Sequence, residues 1–181
     1  MYISSKNSGK IMGWAVESVL GLLYGATIAV GKKLDRKGLT HFFNGHYADA
    51  GIDNVKISKM VYDLKRSNYL DFDNSDSVVF TNKAKMKIID KLTADLNITK
   101  KYHLISFDIP EAKRANRNRF RRVIKRMGFK QIQKSLWVNT RDVGELVEAA
   151  AIEYNVNQYV AYFISEKSNI DQFISKIITE Q

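Results

Sequence analysis

The sequence is poor in several residue types, and each shortage excludes a class of protein. Its 181 residues include no cysteine, which excludes disulfide scaffolds, thiolate metal sites and cysteine nucleophiles. Only three histidines occur, and no two lie three or four residues apart, so histidine-rich zinc chemistry is not expected. The single proline, Pro110, argues against long irregular loops. With 45% hydrophobic residues, the chain is expected to fold around a packed core, as one medium domain or two small ones.

Acidic residues are also few in relation to basic ones: 19 against 29, for a net charge of +10. Most of the excess lies between Glu111 and Lys134, where ten basic residues and one acidic residue leave a charge of +9. A basic protein of this size most often meets nucleic acid and less often an anionic membrane. Arginine dominates the stretch, and its planar guanidinium group suits phosphate recognition. A solvated helix face is the alternative, although such a face usually mixes both charge signs.

One hydrophobic run raises the question of a membrane. Residues 11–30 read IMGWAVESVLGLLYGATIAV, which is long enough to span a bilayer. However, Gly13, Glu17, Gly21 and Gly25 recur every fourth residue as one small or polar stripe, and a carboxylate at mid-bilayer is costly. No cleavage site typical of a signal peptide follows the run. We therefore expect a core helix of a cytoplasmic protein, and neither a membrane span nor a membrane tether.

The rest of the first half predicts two further helices and a hairpin. A short helical pattern covers residues 35–44, and turn residues separate it from a second one at 56–70. The second helix buries one apolar face, and its other face offers candidate DNA-contact residues, namely Lys56, Lys59, Tyr62, Lys65 and Arg66. Two β-rich runs, 69–72 and 78–81, bracket a turn of Asp, Asn and Ser and predict the hairpin. Thr81 can then cap a following helix.

The order helix, helix, helix, hairpin, helix is typical of a winged helix-turn-helix domain. In that fold the second helix of the pair enters the major groove and the hairpin, or wing, touches phosphate. Three carboxylates at the hairpin, Asp71, Asp73 and Asp76, would repel phosphate, and the lysines that follow could offset them. Two of those lysines, Lys83 and Lys85, complete the candidate DNA contacts of this half. A generic helical domain with a hairpin remains the alternative.

The second half predicts a smaller sheet domain. Residues 95–101 are predicted to be a linker, which divides the chain into domains 1–97 and 98–181. The pattern then alternates between strands and helices: a strand at 103–109, a helix from Pro110 that stops at Gly128, a strand at 129–138, a helix at 142–154, a strand at 158–164 and a last helix at 169–178. The predicted fold is therefore α+β, a winged helix-turn-helix followed by a ferredoxin-like domain and a C-terminal helix. The arginine-rich helix carries the remaining candidate DNA contacts: Arg114, Arg117, Arg121, Arg122 and Lys125.

Residues 103–140, HLISFDIPEAKRANRNRFRRVIKRMGFKQIQKSLWVNT, carry a more specific pattern. A strand ends in Asp-Ile-Pro, an arginine-rich helix and Gly-Phe follow, and Gln-Lys-Ser-Leu-Trp-Val closes the motif. The pattern resembles the Cas2-like domain, found in the CRISPR adaptation protein and as the middle domain of PaaX-type transcriptional repressors. The preceding helix and hairpin order resembles the N-terminal half of the PaaX type. The resemblance implies a ferredoxin-like fold and a homodimer built on that domain.

Asp108 is the one candidate catalytic and metal-binding residue. In the CRISPR family, the aspartate that ends the first strand binds metal together with its mate across the dimer axis, and Asp108 matches that position. The resemblance thus implies a possible Mg²⁺ ion for phosphodiester hydrolysis. The residues alone also allow a structural role, because a carboxylate ahead of a helix can accept backbone N–H bonds or pair with adjacent arginines. Both interpretations stay open.

Two functions compete. The first is a dimeric, PaaX-like repressor that reads an inverted-repeat operator on double-stranded DNA and requires no cofactor. The second is a CRISPR-type adaptation protein that works with a CRISPR integrase, or a Mg²⁺-dependent nuclease acting on DNA or RNA. We expect the first, because a winged domain followed by a dimer-forming domain explains both halves of the chain, whereas a nuclease explains only the second half.

Overall fold

The chain forms two compact units, Met1–Ile88 and Ile89–Gln181, called here the first and second units. The computed structural model describes residues 8–30, 34–47 and 54–179. The division precedes the linker expected at 95–101. Helix α5, Ile89–Ala94, joins the second unit, where Asp90 forms an ion pair with Arg126.

The first unit contains four helices and a hairpin among its described residues. Helices α1, α2 and α3 span Ser8–Val30, Arg36–Tyr47 and Asn54–Arg66. Strands β1, Leu70–Phe72, and β2, Val78–Phe80, pair antiparallel, and α4, Asn82–Lys87, follows them. Thr81 caps α4 as predicted, since the backbone N–H of Ala84 donates to its Oγ1 atom at 3.2 Å. The predicted order of elements is confirmed, but the helix after the hairpin breaks at Ile88 into α4 and α5.

Helix α1 contributes to the core of the first unit. Its buried residues are Val19, Leu20, Leu23 and Ala26, and the other elements add Leu39, Leu64, Leu70, Val78 and Ala84. In the described residues, no helix is long and apolar enough to cross a membrane. The small or polar stripe noted in the sequence is not uniformly buried, because Gly21 is buried whereas Gly25 is exposed, with nothing within 4 Å of a Cβ placed there.

The second unit is built on a four-stranded antiparallel sheet. Strand β3 spans Ile98–Phe107, β4 Lys130–Gln131, β5 Leu136–Arg141 and β6 Val160–Ser165, in the spatial order β4-β5-β3-β6. Helices α6, Arg114–Arg126, and α7, Gly144–Glu153, connect the strands, and α8, Asp171–Thr179, follows the last one. The order βαββαβ with this strand arrangement is the ferredoxin-like topology that the sequence predicts.

Two predicted elements differ from the structure. The single strand expected at 129–138 is two strands, because Ile132 and Gln133 both donate backbone hydrogen bonds to the carbonyl of Leu136 and close a tight turn between β4 and β5. The helix expected to begin at Pro110 starts with a 3-10 turn at Glu111–Lys113, and α6 begins only at Arg114. Its end is as predicted: Gly128 adopts a φ of +87°, a left-handed conformation that suits glycine.

Both faces of this sheet are covered. On one face, Phe107 meets Phe120 of α6 edge to face, with ring centroids 5.5 Å apart, and lies beside the ring of Trp137. On the other face, Leu104 and Val138 pack against Ile174 of α8. The sheet therefore fixes the position of α6 over Phe107 and Trp137. This helix carries seven of the sixteen basic residues of the second unit and no acidic residue.

Candidate nucleic-acid interface

Helix α3 presents a basic and aromatic surface. Leu64 anchors the helix in the core, and Met60 and Val61 are half-buried beside it. On the outside, Lys59, Tyr62, Lys65 and Arg66 are exposed, and Tyr62 keeps 62% of its surface accessible. Four of the five predicted contacts of this helix thus share an exposed surface. The side chain of the fifth, Lys56, lies outside the described residues.

The carboxylates of the hairpin are engaged within the first unit. Asp73 accepts hydrogen bonds from the backbone N–H groups of Ser75 and Ser77, at 2.9 and 3.0 Å, and so holds the turn. Asp71 lies 3.7 Å from Lys65 Nζ, and Asp76 pairs with Arg36 at 3.1 Å. Two of the three negative charges therefore have a cation beside them, which reduces their repulsion of a phosphate.

A cluster around Phe72 holds the hairpin in place. Arg36 Cζ lies 4.5 Å from the centroid of the Phe72 ring, and Lys65 Nζ lies 5.2 Å from it. The backbone adds a link, since Val78 donates to the carbonyl of Leu34 at 2.7 Å. Arg36 is a residue that sequence reasoning missed, because its partner Asp76 lies 40 positions away.

Of the two predicted lysine contacts after the hairpin, Lys83 has a structural role. Its Nζ atom donates to the carbonyl of Ser67 at 2.8 Å and lies 4.6 Å from the ring centroid of Tyr69. It thereby ties α4 to the end of α3. Lys85 is half-buried on α4.

The predicted arginines of α6 divide into two groups, and the first group is balanced by acidic residues. Glu111 accepts from Arg117 at 2.9 Å and lies 3.6 Å from Arg114. Arg117 also donates to the carbonyl of Ile109 at 3.2 Å, and only 25% of its side chain is exposed. These contacts hold the 3-10 turn against α6, so Arg117 is placed to support the fold rather than to meet a ligand.

The second group lines an open groove on α6. Its four lining residues are Asn118, Arg121, Arg122 and Lys125, and its volume is about 290 Å³. No acidic side chain is among the described residues that line it. Asn118 is the member that sequence reasoning missed, although its position three residues before Arg121 could have indicated it.

Asp108 lies exposed where β3 has ended. Its backbone N–H donates to the carbonyl of Tyr159 at 3.1 Å, but its carboxylate makes no hydrogen bond or ion pair with the described chain. Neither predicted structural role, cap or ion pair, is therefore observed. Among residues 8–30, 34–47 and 54–179, no three acidic or histidine side chains gather as a metal site. Because Glu111 is engaged by Arg117, one chain offers a single available carboxylate there, which does not fit a magnesium site without ligands from elsewhere.

A buried polar cluster in the sheet of the second unit was not predicted. His103 is 2% exposed, with Nδ1 2.5 Å from the hydroxyl of Tyr162 and Nε2 3.0 Å from Thr99 Oγ1. Burial lowers the pKa of His103, although the nearby Asp142 carboxylate opposes the shift. Burial, with a contribution from Asp142, raises the pKa of Tyr162 to about 12. Thr99 Oγ1 also donates to the carbonyl of Thr140 in β5 at 3.1 Å. The cluster thus joins β3, β5 and β6, which indicates a structural role.

The comparisons with known proteins agree with this architecture. Neither a curated protein nor a solved structure matches the chain. The family model described as the PaaX protein central Cas2-like domain matches residues 96–175, which cover β3 to α8. The ferredoxin-like part of the second unit is therefore similar to the central Cas2-like domain of PaaX proteins.

Proposed function

We propose that the protein is a dimeric, DNA-binding transcriptional repressor of the PaaX type. The observation that carries the proposal is the exposed surface of α3, with Lys59, Tyr62, Lys65 and Arg66, next to a hairpin whose carboxylates are engaged internally. A PaaX-type domain in the same chain supports it.

In this proposal α3 is the helix that enters the major groove. Lys59 and Arg66 lie two turns apart, which places their Cα atoms about 10 Å apart along the helix axis. This spacing lets both side chains reach base edges or flanking phosphates in one groove. Lys65 is also held near Asp71 and Phe72, so we expect it to contribute less than Arg66.

The hairpin would then serve as the wing of a winged helix-turn-helix. Two contacts support this role: Arg36 pairs with Asp76, and Lys65 lies beside Asp71. Both cations reduce the negative field that a phosphate would meet at the hairpin. The fixed position of Phe72 beneath two cations supports a rigid wing.

Dimerisation is assigned to the second unit. Strand β6 pairs with β3 on one side only within the described chain, and Phe163 and Ile164 on it are exposed, as is Phe173 of α8. An open sheet edge and apolar side chains are features that a second copy could cover. A two-fold dimer would match an inverted repeat with half-sites one helical turn of DNA, about 34 Å, apart.

The test is selection from a randomised duplex DNA pool by the full chain, at near-physiological salt with Mg²⁺ present. The proposal predicts enrichment of an inverted repeat by the wild type and loss of enrichment in the Lys59→Ala/Arg66→Ala variant. Lys91→Ala/Lys167→Ala removes two exposed charges from the second unit and is the matched control. Binding of the wild type without any enriched sequence would refute the repressor.

One observation favours the second candidate, a Cas2-like metal-dependent nuclease or adaptation protein. Asp108 is exposed, and its carboxylate has no partner among the described residues. Incubation of labelled duplex DNA and of RNA with Mg²⁺ separates the two functions. Cleavage that is lost in Asp108→Asn would establish the nuclease, and uncleaved substrate with wild-type protein would reject it.

A further inference from the structure

We infer that the α6 groove, formed by Asn118, Arg121, Arg122 and Lys125, is a binding site for the phosphodiester backbone of duplex DNA. The inference shares DNA as the ligand with the proposed function but does not depend on α3 or on sequence recognition. The PaaX-type domain would thus make a second contact with DNA, one that does not depend on the base sequence.

The first argument is the distribution of charge along α6. Arg114 and Arg117 share Glu111, and Arg126 pairs with Asp90, so these arginines have acidic neighbours. The groove has three cations and, among the described lining residues, no carboxylate. Like charges one turn apart on a helix destabilise it, and an anion between them removes that repulsion. Among the described residues, Arg119 is the other α6 cation without an acidic ion-pair partner, so three of the four uncompensated charges of this helix lie at the groove.

The second argument is that two of these cations are held in place. Arg121 Cζ and Lys125 Nζ lie 5.6 and 5.9 Å from the ring of the same residue, Trp137. Trp137 is 1% exposed in β5 and lies beside Phe107, so it is a fixed support. Cations held over an aromatic ring lose less conformational freedom when they bind an anion, and this favours a defined site over a diffuse positive field.

The shape of the groove indicates which anion it takes. The groove is open rather than enclosed, and its residues recur at positions i, i+3, i+4 and i+7 along the helix. A small free anion would favour an enclosed pocket, whereas a line of donors on an open surface suits phosphates that follow one another on a strand. The Asn118 amide can add a neutral hydrogen bond to a phosphate oxygen.

The experiment measures the salt dependence of binding to random-sequence duplex DNA. The affinity falls as salt rises, and each cation that neutralises a phosphate adds about 0.9 to the magnitude of the slope of log K against log salt, called here the slope. Arg121→Gln/Lys125→Gln should therefore lower this magnitude by about 1.8. The control is Arg114→Gln/Arg119→Gln, which removes the same charge from the same helix outside the groove. An equal decrease of the slope in both variants, or no decrease in the groove variant, would overturn the inference.

A second readout reports on the site itself. The sequence has two tryptophans, so in Trp14→Phe the emission comes from Trp137 alone. Random-sequence duplex DNA should change that emission, because Arg121 and Lys125 move toward phosphate. When Arg121→Gln/Lys125→Gln is combined with Trp14→Phe, the same DNA should leave the emission unchanged. An emission that does not respond in Trp14→Phe would contradict the site.

The two proposals can fail separately. A reduced slope in the groove variant without any enriched operator would support the groove and refute the repressor. If an operator is enriched, and the wild type and the groove variant show the same salt dependence of binding, the repressor would be supported and the groove refuted.

Discussion

Replacing Tyr162 by phenylalanine should destabilise the second unit, although only one oxygen atom is removed. The Tyr162 hydroxyl lies 2.5 Å from Nδ1 of His103, whose side chain is 2% exposed. Without the hydroxyl, Nδ1 loses this partner in a site with little access to water. Leaving a buried polar atom unsatisfied costs about 1–3 kcal/mol. For a unit of this size, 1 kcal/mol corresponds to a fall in melting temperature of roughly 4–8 °C.

Urea unfolding followed by Trp137 emission in Trp14→Phe measures this effect. The matched control is Tyr102→Phe, because Tyr102 packs against the core beside α8 and its hydroxyl has no hydrogen bond within the described residues. We expect the control to change the free energy of unfolding by less than about 0.5 kcal/mol. Equal decreases in stability in the two variants would refute the reasoning.

The same variant should also change the response to alkali. The pKa of Tyr162 is about 12 in the fold and near 10 in the unfolded chain, so the hydroxyl contributes stability below pH 10 that is lost as pH rises toward 12. Two pKa units correspond to at most about 2.7 kcal/mol, and partial exposure of the side chain reduces this value. Tyr162→Phe should therefore lose less stability than the wild type between pH 10 and 12.

Three further predictions follow from the second unit. Because burial lowers the pKa of His103, its neutral ring contributes stability that is complete above pH 6.5 and is lost as pH falls below that value. The urea midpoint should therefore be lower at pH 5.5 than at pH 7, and this difference should be smaller in His103→Gln. Ile174→Ala should lower the free energy of unfolding by about 2–4 kcal/mol in urea, since Ile174 is 1% exposed against Leu104 and Val138. Gly128→Ala should cost roughly 1–2 kcal/mol by thermal unfolding, because its φ of +87° crowds a Cβ; an unchanged midpoint would contradict this.

Local signals in the sequence predicted most of the elements. The predicted stop of α6 at Gly128 is confirmed, and the apolar spacing of the helix places Phe120 and Ile124 on its buried face. The break between β4 and β5 was not predicted, because the turn at 133–135, Gln-Lys-Ser, contains no glycine, proline or asparagine to mark it.

The division of the arginines could not be predicted in the same way. Local spacing places Arg117 and Arg121 alike on one ridge of α6, yet Arg117 is tied to Glu111 and Arg121 lies over Trp137. Arg126 meets Asp90, 36 positions earlier. Such pairs depend on which elements the fold brings together, and a single sequence carries no periodic signal for them.

The central claim, sequence-specific DNA binding through α3, is tested most directly by a ratio of affinities. The measurement compares the affinity for the enriched duplex with that for a scrambled duplex at one salt concentration, in the wild type and in Lys59→Ala/Arg66→Ala. We predict a ratio of at least about 10³ for the wild type and a ratio near one for the variant. A variant that keeps the wild-type ratio would contradict the claim, because α3 would then not be the element that reads the bases.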